Sequence, residues 1–355
     1  MKILIVSSEA PPIRSGVARS VDEITNGLRA RGHTVTLLSG NQALNLRWDR
    51  IRLSLVALKV WRTIKNEGPF DVVNVHGPSP TVSDLSVLIS VISRNVKSVV
   101  YTHHFNLDFG IPVVDVATSI YSKLTWPLIK RFCSVVVTSS DYAELHGAGT
   151  SKMHVIPWGV DQPGERIVKS EPLASEPLKV IAVGQLRRYK GMSVAIDAVL
   201  EVENAVLTIV GDGPLYSHFA ERVALYPGKI KLVRGASTVE LEDLYRKHDV
   251  ILLSSRTQLE AFGLVLLEGM SFGCIPIASN LPGVRFIPKG VGFIGEPNNP
   301  TSFAKALNYL NNNRQEMKSL IDQSIAKSEE YLWDYTVERY EAVFSENCDP
   351  NKIVS

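Results

Sequence analysis

Short runs of β-branched and aliphatic residues, each followed by a stretch with helical spacing, recur along the chain. Ile3 to Ser7 is apolar on both faces, the pattern of a parallel strand covered on both sides. Val17, Val21, Ile24 and Leu28 follow at helical spacing and stop at Arg31-Gly32-His33. Thr34 to Leu38 reads as the next strand, and further apolar runs fall at 72–75, 98–101 and 134–137. Strand, crossover helix and strand in alternation is the mark of a parallel sheet. Between Pro157 and Pro177 the pattern breaks into prolines, glycines and charges, as in an interdomain linker. It then restarts: 178–184 echoes the opening residues, and strands are predicted at 206–210, 230–233 and 250–253. The pattern predicts an α/β protein of two doubly wound, Rossmann-like domains facing each other across a cleft. Ligands of such sheets bind beyond the carboxyl ends of the strands.

Composition narrows the class. The 355 residues are 45% hydrophobic and 21% charged, too apolar for a disordered chain and ordinary for a globular one. A net charge of +2 gives no field that would hold nucleic acid. It conceals an asymmetry: through Val160 the chain carries 17 basic and 11 acidic residues (+6), and the remainder 21 and 25 (−4). The two halves are expected to meet different partners. Cys133, Cys274 and Cys348 are far apart and include no CxxC pair, which argues against a disulfide framework or zinc ribbon and for a reducing cytosol. Cys274 lies in an apolar run and is expected to pack in a core. The opening MKILIVSSEAPP reads as a first strand, not a signal peptide, and no run approaches the ~18 apolar residues of a membrane span.

Among glycine-rich strand exits, Gly211-Asp212-Gly213-Pro214-Leu215-Tyr216 has two of the glycines of a dinucleotide loop, but Tyr216 stands in place of the third and Pro214 disturbs the turn. No GK[ST] phosphate loop is present. The densest chemistry lies in SSRTQLEAFGLVLLEGMSFG (254–273). A strand ends near Ser254, a loop carries Glu260, and a helix begins around Phe262 or Gly263. Gly263 admits close backbone approach, and the helix start favours a phosphate. Glu260 and Glu268 could each accept hydrogen bonds from sugar or ribose hydroxyls. Taken alone, the pair favours a plainer reading, a helix cap and a solvated helical residue.

Context reverses that preference. The segment resembles the signature of glycosyltransferase family 4, the group 1 glycosyltransferases, with two glutamates separated by seven residues. VGQLRRYKG (183–191), IVGDGPL (209–215), LPGVRFI (281–287) and IPWGVD (156–161) also resemble family segments, in the family's order. The resemblance covers nearly the whole chain and implies the GT-B fold, with a nucleoside diphosphate sugar held mostly by the C-terminal domain. It implies that Glu268 binds the ribose, that Glu260 contacts hydroxyls of the transferred sugar, and that Phe262, Gly263 and Leu264 offer amides to the diphosphate. Lys190 matches the family's lysine on that diphosphate, where a fixed cation would stabilise the leaving group in place of a metal. No Asp-x-Asp motif occurs, so no metal and no cofactor beyond the sugar-nucleotide substrate is expected. Two positions depart from the family. Gln185 replaces its usual arginine and is kept as a donor-binding residue that can donate a hydrogen bond without adding charge, while Arg187 or Arg188 could reach in, Arg188 being the second donor-binding candidate; Phe286 stands where glutamate is common.

In the front half, Gly16 falls in the family's glycine-containing first loop, and the resemblance implies that it binds the donor there, with backbone amides facing the phosphate and the acceptor. His104, in Tyr101-Thr102-His103-His104, best matches the family histidine at the donor sugar. Adjacent histidines could also be a metal fragment, but successive residues on an extended chain point oppositely and no third ligand is apparent. His76 also exits a strand and is placed on the acceptor side, whereas His33 and His146 are read as ordinary surface residues. Residues 47–65 (RWDRIRLSLVALKVWRTIK) hold six basic residues and one acidic residue, with apolar residues at helical spacing. They read either as an interfacial helix on anionic lipid or as a crossover helix packed on the sheet.

The resemblance and the pattern together predict an acceptor-side domain at 1–160, a linker at 161–177, a donor-binding domain at 178–330, and a C-terminal helix within 331–355 packing back on the first domain. They imply a retaining, metal-independent transferase moving a hexose-type sugar to a glycan or lipid-linked acceptor, at work in the cytoplasm or on the inner face of the cell membrane. The alternatives are another GT-B sugar-nucleotide enzyme (an epimerase or disaccharide synthase) and a noncatalytic partner subunit docking on membranes through 47–65.

Overall fold

The computed structural model describes residues 1–13, 15–40, 45–48, 51–54, 56–147, 152–169, 172–173 and 175–348. The chain divides into two compact units, one of Met1–Gly159 together with the segment from Trp333 onward, the other of Val160–Leu332.

The first unit runs β1 (Lys2–Ser7), α1 (Gly16–Ala30), β2 (Thr34–Ser39), β3 (Asn45–Trp48), β4 (Ile51–Ser54), α2 (Val56–Glu67), β5 (Phe70–Gly77), α3 (Ser83–Ile92), β6 (Val96–His103), α4 (Pro112–Phe132), β7 (Ser134–Val137), α5 (Ser140–Leu145) and β8 (Met153–Val155). Six strands form a parallel sheet in the order β2-β1-β5-β6-β7-β8. Alternation along the strands sorts its two faces. Val73, Val75, Val99, Tyr101, Val135 and Val137 share a core with Val56, Val60 and Ile64 of α2, Val87 of α3 and Ile129 of α4. Asn74, His76 and Thr102 have the opposite parity.

The second unit runs β9 (Leu178–Val183), α6 (Met192–Leu200), β10 (Ala205–Val210), α7 (Tyr216–Ala224), β11 (Ile230–Val233), α8 (Thr238–Lys247), β12 (Val250–Leu253), α9 (Leu264–Ser271), β13 (Ile275–Ser279), β14 (Phe293–Gly295), α10 (Pro300–Asn312) and α11 (Arg314–Ser328). Its parallel sheet has the order β11-β10-β9-β12-β13-β14. That is the doubly wound 3-2-1-4-5-6 arrangement, whose order reverses between β9 and β12. Leu178, Val180, Val250 and Leu252 pack with α6 and α10 in one core. α9 lies so close to β12 that a Cβ on Gly269 would stand 2.8 Å from Ile251.

The last helix, α12 (Trp333–Cys348), belongs to the first unit. It packs on α1 where Gly27 leaves room: a Cβ there would come within 2.5 Å of Val337 Cγ2. His33 Nε2 lies 2.8 Å from Glu341 Oε1, and Arg31 bridges Glu341 at 3.1 Å.

One predicted element is overturned. Residues 47–65 are not a single helix: 45–48 and 51–54 pair as an antiparallel hairpin, and the helix begins at Val56. Residues 49, 50 and 55 of the predicted segment lie outside the described residues. The helical part buries Val56, Val60 and Ile64 as a crossover helix on the sheet and leaves Leu58 and Trp61 exposed. Among the described residues no helix is long and apolar enough to cross a membrane.

Candidate active site

In the second unit, the loops leaving β9 and β12 bracket the point where strand order reverses, the usual place for a ligand in such sheets. After β9 the chain passes Gly184 and Gln185, buries Leu186, and makes a tight turn at Arg188–Lys190 that ends on Gly191. Gly191 has φ 65°, and a Cβ on it would stand 1.9 Å from the Ser254 carbonyl oxygen. Only glycine lets the two loops touch there. Ser254 Oγ donates to Gly191 O (2.8 Å), and Arg256 N donates to Tyr189 O (2.6 Å).

This lacing brings Lys190 against Glu260, 70 residues away in sequence. Lys190 Nζ donates to Glu260 Oε2 at 2.7 Å, and Ser255 Oγ donates to the same oxygen at 2.6 Å. The two side chains are 12% and 8% exposed. A buried pair of this kind is costly to break on one side, because the survivor is left charged and unpaired.

Glu260 is therefore not a helix cap. The cap is Gly263, at φ 82°, where a Cβ would press on Leu253 and Val284 at 2.9 and 3.0 Å. No side chain caps α9, and Leu266 N turns back to Gly263 O at 2.8 Å. Phe262 is fully buried, 5.5 Å from the ring of Phe286 and 6.5 Å from that of Tyr331. Phe286 thus fills an aromatic cluster under the loop. Glu268, half-buried on α9, accepts from Tyr245 Oη at 3.1 Å, so it is not a freely solvated helical residue. Gln185 Oε1 accepts from Arg187 Nε at 3.0 Å, whereas Arg188 is exposed. The guanidinium held beside Gln185 is thus that of Arg187. The 211–215 segment packs on Leu186: Leu186 N donates to Asp212 O (2.8 Å) and Leu215 N to Leu186 O (3.1 Å).

In the first unit, Gly16 opens α1, which is N-capped by Ser15 through Ala18 N (3.1 Å). The adjacent histidines diverge as the strand pattern requires. His103 enters an aromatic cluster with Trp126 (5.0 Å) and His146 (4.6 Å). His104 turns to Trp158 (5.2 Å) and His76. His33 and His146 are both partly buried and hydrogen-bonded, contrary to the surface reading: each finds its partner on another segment, His146 on Asn106 at 3.0 Å.

The His104 environment fixes its protons. Asn74 Nδ2 donates to Val100 O (3.1 Å) and Thr102 Oγ1 (3.0 Å), which leaves Asn74 Oδ1 to accept from His76 Nε2 (2.7 Å). Burial pushes His76 down to about 3, so it is neutral and its Nδ1 is a bare acceptor. His104 Nε2–H donates to it at 2.9 Å. Burial and the neighbouring His76 hold His104 well below the ordinary range as well. Its Nδ1 is then a lone-pair acceptor, buried and without a partner among the described residues. A substrate hydroxyl would satisfy it.

A cavity of about 360 Å³ is lined by His103, Asn106 and His146 and by Ser119, Ser122, Lys123 and Trp126 of α4. Among the described residues, no three His, Cys, Asp or Glu side chains gather as metal ligands.

Sequence reasoning brought forward Glu260, Lys190, Glu268 and His104 but missed Ser255, Tyr245, Asn74 and Trp158. Asn74 was open to detection, two residues from His76 and so on the same strand face.

Of the two Rossmann-like units, the second holds a buried lysine–glutamate pair beside a helix start without a side-chain cap at its switch point. The model of group 1 glycosyl transferases matches residues 164–327, and that of glycosyltransferase family 4 matches residues 14–162. The chain belongs to the group 1 glycosyltransferases and is a glycosyltransferase. It is 26% identical over 283 residues to the D-rhamnosyltransferase WbpZ of Pseudomonas aeruginosa, covering 75% of this chain and 70% of the relative. It is also 26% identical over 312 residues to the O-antigen chain mannosyltransferase C of Escherichia coli, covering 81% and 78%. The fold matches the crystal structure of Anabaena HepE in complex with UDP, with a TM-score of 0.72, 17% identity and 98% and 100% of the two chains covered.

Proposed function

We propose that this enzyme transfers a hexose-type sugar from a nucleoside diphosphate sugar to a hydroxyl of a glycan or lipid-linked acceptor, with retention of anomeric configuration and without a metal. The observation that carries the reading is the buried Lys190–Glu260 pair at the switch point of the second unit. A diphosphate entering there competes for Lys190, with the first-turn amides of α9 as further donors. As the bond from the anomeric carbon to the β-phosphate oxygen breaks, charge grows on that oxygen, and a fixed ammonium stabilises it. Released from the lysine, Glu260 can accept from hydroxyls of the sugar, and Glu268 from the ribose. The acceptor oxygen bonds to the anomeric carbon on the face the leaving group vacates, and its proton passes to the departing phosphate oxygen, so atoms and charge balance without a protein nucleophile. His104 Nδ1 supplies an acceptor for a sugar hydroxyl in the first unit. Relatives named for rhamnose and mannose transfer, and a fold neighbour solved with UDP, support a sugar-nucleotide donor. A cytoplasmic setting follows from that donor.

The test is a thermal-shift screen against UDP-, GDP- and ADP-sugars, followed by NMR of the product formed from the best binder. One donor class should raise the Tm and yield a product with the donor's anomeric configuration. No shift with any donor, or an inverted product, would refute the proposal.

A further inference from the structure

The surface of the first unit carries an apolar face that none of its described elements covers. α4 buries only Thr118 and Ile129, although it is 21 residues long. Val113, Val116, Ile120, Leu124 and Leu128 recur every three or four residues and are 82, 62, 55, 68 and 60% exposed. At that spacing they form one stripe along the helix. Phe132 extends it at the C-terminal end. α3, packed beside α4 over the same sheet face, adds Leu85, Leu88 and Ile92, again at helical spacing and at least 42% exposed. At about 100 Å² apiece these side chains exceed the few hundred Å² that a soluble surface usually leaves in one patch.

Charge says what covers it. The only carboxylate on α4 is Asp115, and its Oδ1 accepts from Phe109 N at 2.7 Å. Lys123 and Arg131 are exposed, and Lys130 is half-exposed. On the helical wheel Arg131 falls in line with the stripe and both lysines fall on one flank. Two copies meeting along the stripe would oppose these cations. A protein partner would need acidic groups around an apolar ridge, whereas an anionic bilayer offers both at every point of its surface.

We propose that α4, flanked by α3, docks the enzyme on anionic lipid with its axis in the membrane plane, the apolar stripe among the acyl chains and Lys123, Lys130 and Arg131 at the headgroups. This is independent of the donor-site reading.

The test is co-sedimentation of the full chain with vesicles of phosphatidylcholine alone or containing about a third phosphatidylglycerol. The protein should bind the anionic vesicles at least tenfold better and detach as salt rises. Val116→Asp with Leu124→Asp should abolish binding, and Lys123→Glu with Arg131→Glu should remove the preference for anionic lipid. Both pairs are exposed, so Tm should hold within a degree or two. Leu225→Asp, at an apolar residue 71% exposed in the second unit, should change nothing. Equal binding to neutral vesicles, no binding to either, or an unaffected α4 variant would overturn the proposal. So would a wild-type dimer that Leu124→Asp converts to monomer, which would assign the stripe to a second copy.

Discussion

Lowering the pH from 7.5 to 5.0 should destabilise the first unit by about 6 kcal/mol. Burial holds His76 and His103 neutral down to about 3 and His146 down to about 4. In the unfolded chain each titrates near 6.5. A depressed histidine contributes stability that is complete above 6.5 and is lost as the pH falls toward the folded value, because only the unfolded state takes up the proton. At pH 5.0 each is about 1.5 units below its unfolded pKa and still above its folded one, which costs about 2 kcal/mol apiece at 1.36 kcal/mol per unit. Three such groups remove much of the 5–15 kcal/mol that holds a typical domain. All five tryptophans (Trp48, Trp61, Trp126, Trp158 and Trp333) belong to the first unit, so their fluorescence reports it selectively. Followed this way, the urea midpoint should fall by about 2 M or more at a slope of 2–3 kcal/mol/M. His103→Phe should remove about a third of that pH dependence. A midpoint that moves by less than about 0.5 M would refute the assignment of three neutral histidines.

Other outcomes follow from local geometry. Gly191→Ala places a Cβ 1.9 Å from Ser254 O at φ 65° and should cost about 3 kcal/mol, read by urea unfolding in far-UV circular dichroism; a cost under about 1 kcal/mol would show that the two loops are not locked together. His76→Gln still offers an oxygen to His104 Nε2–H, whereas His76→Leu strands that donor, so kcat/KM should be about tenfold higher for the glutamine variant. Equal losses would show that His76 does not set the tautomer of His104.

Much of the fold is written in the chain as short apolar runs. Residues 3–6 or 250–253, apolar on both faces, can be little else than inner parallel strands, and the restart at 178 marks the first strand of the second unit, which itself begins at Val160. The hairpin at 45–54 was legible too: Leu46 and Trp48, then Ile51 and Leu53, alternate with Arg47 and Arg52, and the structure pairs Leu46 with Leu53 and Arg47 with Arg52. Six basic residues and a helical segment next door drew the reading toward a single amphipathic helix. The exposed stripe of α4 escaped for the converse reason, since a helix apolar on several sides reads as core. In the site, Glu260 and Lys190 emerged through family resemblance, because a pairing across 70 residues leaves no local signal. The Asn74–His76 and Thr102–His104 spacings were visible as period two, but only the β5–β6 register, His76 opposite Thr102, brings the two sets together.

The central claim is that Lys190 carries the charge of the departing nucleoside diphosphate. Its most direct test is steady-state release of the nucleoside diphosphate from the best donor by the wild type and by Lys190→Gln, whose amide can still donate to Glu260 and so limit the folding cost. The account predicts that kcat falls by about 10²–10³ while the fold is retained. A kcat within about twofold of wild type would contradict it.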